Sequence, residues 1–265
     1  MTDIIKDIKS MKIRSSRTIT LESLKFLKQF AKKNGFEKVF FKKIHELETA
    51  RPTTTIMLSN VLSKIKKKPG INTINEQIEY IESLQKKINK NAKVLKGKIM
   101  IHCNSSELDA ALIANKSKIK EVYVTETEPR RQGLLSAKEL RKAGVKIKYI
   151  IDAAAGYYME EVDMVAVGAD VLTWKGVINK IGTLLMATSA DAIGKPMYVI
   201  ANTLKYHKDT VKIEYRDPNE VTKKLPDSVI LNPAFDITPW RYVEGVITEQ
   251  GVKRPVKVLR ELRGG

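Results

Sequence analysis

The chain has 265 residues, of which 43% are hydrophobic and 29% are charged, a composition typical of a globular protein with one large domain or two modest ones. No segment approaches the roughly 18 apolar residues of a membrane span, and the N-terminus lacks the apolar core of a signal peptide, which argues against a membrane or secreted protein. The single cysteine excludes an intrachain disulfide and a cysteine-based metal site, so no metal is expected and a cytoplasmic location is favoured.

The net charge of +18 indicates anionic partners, either nucleic acids or phosphorylated metabolites. The lysines are dispersed along the chain and aromatic residues make up only 6% of it. Because no aromatic-basic motif of the RNA-binding kind is present, the pattern argues against nucleic acid. Many of the lysines are expected on solvated helix faces.

Residues 1–96 are predicted to form an N-terminal helical domain, because their apolar residues recur at helical spacing. Asn34-Gly35 is a helix stop, and Pro52 disfavours helical geometry at the residue before it. Lys96-Gly97 closes the last helix and marks the predicted domain boundary. The predicted helices are residues 4–13, Leu21–Ala31, Phe36–Glu48, Ile56–Ile65 and Ile74–Val94.

Residues 97–265 change to apolar strands that alternate with helices, a rhythm typical of βαβ units. Right-handed crossovers then predict a Rossmann-like parallel sheet with helices on both faces, and the overall fold class is α/β. The predicted strands are Ile99–His102, Glu121–Thr125, Val145–Ile151, Met164–Gly168, Met197–Ala201, Ser228–Leu231 and Gly245–Thr248. The predicted helices are Glu107–Asn115, Leu134–Ala143 and Ile178–Ala192.

Cys103 comes directly after the first predicted strand and just before a predicted helix. A parallel-sheet enzyme binds its ligand at the carboxyl ends of the strands, and a helix N-terminus favours a thiolate or a phosphate. A lone cysteine is more often a small buried hydrophobe, so its position alone does not establish a reactive role. His102 is expected to point into the sheet rather than to act on Cys103, because adjacent strand residues face opposite sides.

The other strand exits carry polar groups of complementary kinds. Asp170 follows the fourth strand, Asn179-Lys180 follows after a turn, and Lys205 follows the fifth strand. A thiol, an acid, amides and cations on one rim are chemically suited to a phosphosugar pocket. No G-x-G-x-x-G or Walker loop is present, which argues against a dinucleotide or P-loop enzyme, and no cofactor is expected.

Six ordered motifs resemble the superfamily of aldose-phosphate isomerases and initiation-factor regulatory subunits. They are His102-Cys103-Asn104, Thr125-Glu126-Thr127 with Gln132-Gly133, Val167-Gly168-Ala169-Asp170, Asn179-Lys180-Ile181-Gly182-Thr183, Asn232-Pro233-Ala234-Phe235-Asp236-Ile237-Thr238-Pro239 and Ile247-Thr248-Glu249. The helical part contributes Ala50-Arg51-Pro52-Thr53, so the resemblance covers nearly the whole chain. Arg216-Asp217-Pro218 and Lys205-Tyr206-His207 look most similar to archaeal ribose-1,5-bisphosphate isomerases.

The resemblance implies that Cys103 and Asp170 are the catalytic pair for converting ribose 1,5-bisphosphate to ribulose 1,5-bisphosphate in archaeal nucleotide salvage. Moving a carbonyl between C1 and C2 requires one group to take a proton and another to return it. Which of the two is acid and which is base depends on their protonation states. The resemblance also implies a homo-oligomer, either a dimer through the α/β domain or a hexamer, and AMP as an effector.

Two phosphates must also be held. Arg51, Lys180 and Lys205 are the candidate cations, Asn104 and Ser105 are candidate neutral donors, and Asn179 would orient a sugar hydroxyl. Active isomerases of this superfamily usually have a glycine-rich turn after an early arginine, whereas this chain has Arg14-Ser15-Ser16-Arg17. Arg14 and Ser15 are the candidate phosphate contacts in that turn.

Two other functions stay open. A non-catalytic homologue of the initiation-factor regulatory subunits would bind a partner protein or a sugar phosphate, but it has no chemical need for both Cys103 and Asp170. A methylthioribose-1-phosphate isomerase would use the same pair, but usually with a longer helical domain. The sequence therefore favours the bisphosphate isomerase.

Overall fold

The computed structural model describes residues 4–13, 15–51, 55–209 and 211–263. They divide into two compact units: Met1–Leu84 with Thr203–Tyr206, and Gln85–Asn202 with His207–Gly265. The division falls inside one long helix, so the predicted domains 1–96 and 97–265 stay a prediction. None of the helices in the described ranges combines the length and apolar content needed to cross a bilayer.

The first unit is helical, as its periodicity predicts. Its core consists of apolar side chains from successive helices, such as Leu24, Phe40, Ile44, Leu58 and Leu62, each 0–1% exposed. The second helix begins earlier than predicted because the Ser15 hydroxyl accepts a hydrogen bond from the Thr18 amide and caps it. The helices are α1 (Ile4–Lys9), α2 (Ser16–Asn34), α3 (Lys38–Glu48), α4 (Ile56–Lys67) and α5 (Ile71–Asn91).

The second unit contains strands and helices that alternate over most of its length. Its helices are α6 (Ser106–Ala114), α7 (Gly133–Lys142), α8 (Thr183–Ala192) and α9 (Pro255–Arg263). Its strands are β1 (Gly97–His102), β2 (Ile119–Thr125), β3 (Ile147–Ile150), β4 (Met164–Gly168), β5 (Val171–Thr173), β6 (Gly176–Lys180), β7 (Met197–Ile200), β8 (Phe235–Thr238), β9 (Gly245–Thr248) and β10 (Gly251–Lys253).

The described residues form a seven-stranded main sheet in the order β10-β9-β7-β4-β1-β2-β3, and every neighbouring pair except β10 with β9 is parallel. Ile99 and Ile101 pack with Leu108 and Leu112 of α6, while Met100, on the opposite face of the same strand, is also fully buried. Both faces of the sheet are therefore covered, and the predicted α/β fold class is confirmed.

A second, antiparallel sheet of order β5-β6-β8 corrects the prediction of one helix from Ile178 to Ala192. Residues 176–180 form β6 instead, and α8 begins only at Thr183. Gly182 separates them with a φ of 101°, a left-handed conformation that glycine adopts readily. The sequence pattern did not reveal this break, because a short apolar run such as Val177-Ile178 is compatible with a buried strand and with a buried helix.

The predicted strand Ser228–Leu231 is wrong. A short 3-10 turn, Asp227–Val229, occupies that position, and Val229 and Leu231 are 63% and 79% exposed. The apolar side chains there lack a neighbouring strand to pair with. The residues that do pair are the next ones along the chain, Phe235–Thr238, which join β6.

Candidate active site

The candidate active site begins where β1 and β4 end. The chain reverses its direction across the sheet between these two strands, since β2 and β3 lie on one side and β7 and β9 on the other. Ligands of open α/β sheets bind at such a switch point, outside the carboxyl ends of the strands. Cys103 directly follows β1, and Asp170 lies just past the end of β4. The strand order therefore brings the two candidate catalytic residues to adjacent exits.

Cys103 is 8% exposed and adopts a φ of 68°, which is uncommon for a residue with a side chain. Its backbone amide donates to the Thr127 hydroxyl at 2.9 Å, and this bond holds the turn against the segment that follows β2. Burial, with the negative charge of Asp170, raises the pKa of the Cys103 thiol to about 11, although the Lys180 ammonium opposes the shift. The thiol is therefore protonated at neutral pH and suited to donate a proton rather than to attack as a thiolate.

Lys180 ends β6 and is 5% exposed. Burial and repulsion from Arg216 lower its pKa, while Cys103 and Asp170 favour its charged form. Its Nζ lies 5.2 Å from the centroid of the Phe235 ring. Its ammonium therefore interacts electrostatically with both candidate catalytic residues.

Asn104 is held by a buried polar network. Its side-chain amide donates to Asp109 Oδ2 and to Ser136 Oγ, both at 3.0 Å, and the Ser136 hydroxyl donates to the same Asp109 oxygen at 2.7 Å. Both amide hydrogens are thus used within the protein. The backbone N–H of Asn104 hydrogen-bonds to the Cys103 side chain and opposes the rise in the pKa of that thiol.

Ser105 and Asn179 fix the turns beside the thiol and the ammonium. The Ser105 hydroxyl caps α6 by accepting from the Leu108 amide. The side chain of Asn179 is buried and donates to the Thr183 hydroxyl at 3.0 Å, which in turn donates to the Lys180 carbonyl at 2.6 Å. These contacts fix the turns that carry Cys103 and Lys180. Ser105 and Asn179 have this structural role whether or not they also contact a ligand.

His102 links three parts of the site without acting on the thiol. Its Nε2 donates to the Ile181 carbonyl at 2.8 Å, because a carbonyl can only accept, and its Nδ1 therefore accepts from the Thr125 hydroxyl at 2.7 Å. Burial lowers its pKa, which keeps the ring neutral. Both ring nitrogens are occupied, consistent with the expectation that His102 points into the sheet.

Four of the other predicted binding residues belong to the helical part of the chain. Ser15 caps α2, Arg51 is 7% exposed, and Lys205, in the short turn Thr203–Lys205, is 4% exposed. Arg14 lies outside the described residues. All four roles in substrate binding stay predictions.

Two buried charged residues were absent from the predicted site: Asp109, hidden in the apolar pattern of α6, and Arg216, which lies in a long segment without any periodic pattern.

No group of three or more His, Cys, Asp or Glu side chains in the described ranges is arranged to hold a metal ion. The chemistry available at the strand exits is that of a thiol, a carboxylate and an ammonium. These groups are suited to moving protons and to binding an anion.

Comparisons with known proteins agree with the motifs. The model of the initiation factor 2 subunit family matches residues 12–255. The ribose 1,5-bisphosphate isomerase of Methanocaldococcus jannaschii is 37% identical over 290 aligned positions, which cover 96% of this chain and 92% of that protein. Among solved structures, the translation initiation factor eIF-2B of Pyrococcus horikoshii is 25% identical with a TM-score of 0.86, covering 97% of this chain and 98% of its own. The 5-methylthioribose 1-phosphate isomerase of the same organism is 26% identical with a TM-score of 0.79, covering 99% and 87%.

Proposed function

The chain belongs to the initiation factor 2 subunit family, and from this membership we propose that it isomerises ribose 1,5-bisphosphate to ribulose 1,5-bisphosphate. One observation carries the proposal: a protonated, buried thiol and a carboxylate lie at adjacent strand exits, and the Lys180 ammonium interacts electrostatically with both. A purely regulatory protein has no need of this arrangement. The substrate is inferred from the relative in Methanocaldococcus jannaschii, which is named as a ribose 1,5-bisphosphate isomerase.

The reaction requires five changes in the sugar. The bond between C1 and the ring oxygen breaks, the ring oxygen gains a proton, a hydrogen leaves C2 and one reaches C1, and the C2 hydroxyl loses its proton. A base must therefore remove the proton from C2 while an acid protonates the departing ring oxygen. Both must be restored by the end of the cycle.

Cys103 is the acid and Asp170 the base in this proposal. The Asp170 carboxylate takes the proton from C2 while the Cys103 thiol gives its proton to the departing ring oxygen, which leaves an enol. Asp170 then returns its proton to C1, and the thiolate takes the proton of the C2 hydroxyl, so both residues regain their starting states. The Lys180 ammonium stabilises the transient thiolate, because it is the charge that lowers the pKa of Cys103.

The experiment is an assay of the purified protein with ribose 1,5-bisphosphate, with ribulose 1,5-bisphosphate detected by its ketone. Cys103→Ser and Asp170→Asn should each lower kcat by about a thousandfold or more, since each removes one proton-transfer group. Asp191→Asn changes an exposed carboxylate on α8 and should leave kcat unaltered. Absence of turnover by the unmutated protein with this sugar and with methylthioribose 1-phosphate would overturn the enzyme proposal.

The second candidate is a non-catalytic regulatory subunit that binds translation initiation factor two. The similarity to the eIF-2B structure favours it. Co-purification with initiation factor two, together with an inactive assay, would select this function. We also propose from the family resemblance that the isomerase serves archaeal nucleotide salvage, that AMP is its effector, and that the chain assembles as a dimer through the α/β domain or as a hexamer.

A further inference from the structure

Two buried cations lie against one aromatic ring beside the proposed catalytic pair. Lys180 Nζ is 5.2 Å and Arg216 Cζ is 5.8 Å from the centroid of the Phe235 ring. Lys180 is 5% exposed, and the side chain of Arg216 is 7% exposed. Repulsion from Arg216 contributes to the lowered pKa of Lys180, so the two charges interact. Two like charges held close together out of water are unfavourable without a counter-ion.

The protein supplies only part of that counter-charge. Glu214 Oε1 lies 3.2 Å from Arg216 Nε, but the two groups are not aligned for a hydrogen bond, and Arg216 Nε finds no acceptor among the described residues. The other oxygen of Glu214 is also buried without a donor there. Asp170 and Glu214 favour the charged form of Lys180. The Nε–H of Arg216 is thus a charged, buried donor without an acceptor among the described residues.

The segment that carries Arg216 is fixed rather than loosely placed. The Arg216 amide donates to the Asn232 carbonyl at 2.9 Å, and the Ala234 amide donates to the Glu214 carbonyl at 2.8 Å. The Asn232 side chain donates to the Asp217 carbonyl at 2.9 Å. These bonds align Arg216 with the residues just before β8, so its guanidinium is held beside Phe235 before any ligand arrives. Such preorganisation lowers the entropic cost of binding.

We infer that Lys180 and Arg216 together bind one phosphate group of the substrate, with Arg216 as a ligand-binding residue. The inference rests on the proposed function, which supplies a phosphorylated sugar. A phosphate offers three acceptor oxygens in a tetrahedral arrangement, which suits an ammonium and a guanidinium arriving from different directions. A carboxylate has only two oxygens in one plane and would leave donors unused. Because Lys180 also interacts with Cys103 and Asp170, this phosphate is held next to the reacting carbons.

Titration calorimetry with inorganic phosphate tests the inference without requiring turnover. Arg216→Gln should weaken phosphate binding by about tenfold or more, because it removes a charge-assisted hydrogen-bond donor. Arg241→Gln is a matched control: Arg241 also stacks on an aromatic ring, that of Tyr242, but is exposed. It should bind phosphate as the unmutated protein does.

Glu214→Gln combined with Arg216→Gln guards against a folding defect, since it leaves no unpaired carboxylate. If Arg216→Gln fails to fold, the double variant decides the question by the same titration. The inference is overturned if inorganic phosphate does not bind the unmutated protein, or if a folded variant without Arg216 binds phosphate with unaltered affinity.

Steady-state kinetics separate this inference from the proposed function. With ribose 1,5-bisphosphate, Arg216→Gln should raise KM by about tenfold and change kcat by less than about threefold, since the residue binds ligand without exchanging protons. If Arg216→Gln turned over the substrate with an unchanged KM, the inference would be overturned and the proposed isomerase activity would be unaffected. If the protein bound phosphate through Arg216 but showed no turnover, the phosphate site would be supported and the isomerase proposal would fail.

Discussion

A buried carboxylate supports the turn that carries Cys103. Asp109 is fully buried, and only its Oδ2 is bonded, to Asn104 and Ser136; Oδ1 has no partner among the described residues. Burial raises the pKa of Asp109 from its ordinary 3.8 to about 7. At neutral pH the ionised and protonated forms are therefore both populated. The network that positions Asn104 consequently includes a group that titrates near physiological pH.

Asp109→Asn should make the protein more stable at pH 8 than the unmutated chain, by about 1–3 kcal/mol. The shift in pKa corresponds to a burial cost on the order of 4 kcal/mol for the charge, from which the cost of an unpaired amide donor is subtracted. A raised pKa contributes stability that is complete below about pH 4 and is lost as the pH rises toward 7. The advantage of the variant should therefore be largest at pH 8 and shrink or reverse at pH 5. Urea unfolding at the two pH values measures it.

Asp227→Asn, a change at an exposed carboxylate, is the control for that measurement. Titration of other groups, such as Asp236, whose pKa burial raises to about 6, occurs in every variant and cancels from the difference. If the free energy of unfolding of Asp109→Asn varied with pH in parallel with that of the unmutated protein from pH 5 to pH 8, the raised pKa of Asp109 would be contradicted.

At the scale of elements, the approach of α6 to β4 depends on a glycine. A Cβ built on Gly168 would lie 2.5 Å from Ser105 Oγ and 2.7 Å from Ser105 Cβ. Ser105 caps α6 and follows Cys103 and Asn104, so any displacement of Ser105 moves the thiol. Close packing between the end of β4 and the start of α6 is thus one condition for the geometry of the catalytic pair.

Gly168→Ala should destabilise the protein by about 1–3 kcal/mol through overpacking and should lower isomerase activity at the same time. Ser105→Gly in the same chain removes both contacting atoms and, because glycine is tolerated as an N-cap, should restore most of the stability. Thermal unfolding of the two single variants and the double variant gives the coupling. Gly156→Ala, whose Cβ would meet Ser189 Oγ at an ordinary 3.9 Å, is the control. Strict additivity of the Gly168 and Ser105 changes would refute the steric explanation.

At the scale of the whole molecule, the α/β unit exposes large apolar side chains. Tyr157 is 81% exposed and Leu185 of α8 is 64% exposed. Gly156 approaches Ser189, one helical turn beyond Leu185, so the two apolar side chains belong to one region of the surface. Exposed apolar regions of this kind mark interaction sites, which supports the proposed dimer through the α/β domain.

Light scattering should give a molar mass that is a multiple of 29.9 kDa for the unmutated chain. Leu185→Glu places a charge in the exposed apolar region and should lower that mass toward the monomer, because burying an unpaired charge at an interface is costly. Leu231→Glu alters another exposed apolar residue, in the irregular segment before β8, and should leave the mass unaltered. A monomer at every concentration of the unmutated protein would contradict the proposed assembly.

The sequence by itself determined the fold class, most elements and the family. Hydrophobic periodicity is a local property, so it located α4, β1, β2 and β4 within a few residues of their ends. It also placed Cys103 and Asp170 at strand exits, and the ordered motifs identified the family that the family model confirms. Each of these inferences depends only on residues that are close together in the chain.

Only the tertiary structure decided the order of the strands and the buried charges. Strand order depends on contacts between distant segments, and it is this order that puts β4 beside β1 and Asp170 near Cys103. β6 could not be told from a helix, because its apolar residues gain their partners from β5 and β8. Arg216 reaches Phe235 through backbone bonds across a long irregular segment. Periodicity cannot reveal such contacts, because burial of a charged residue is set by what folds around it and not by its neighbours in sequence.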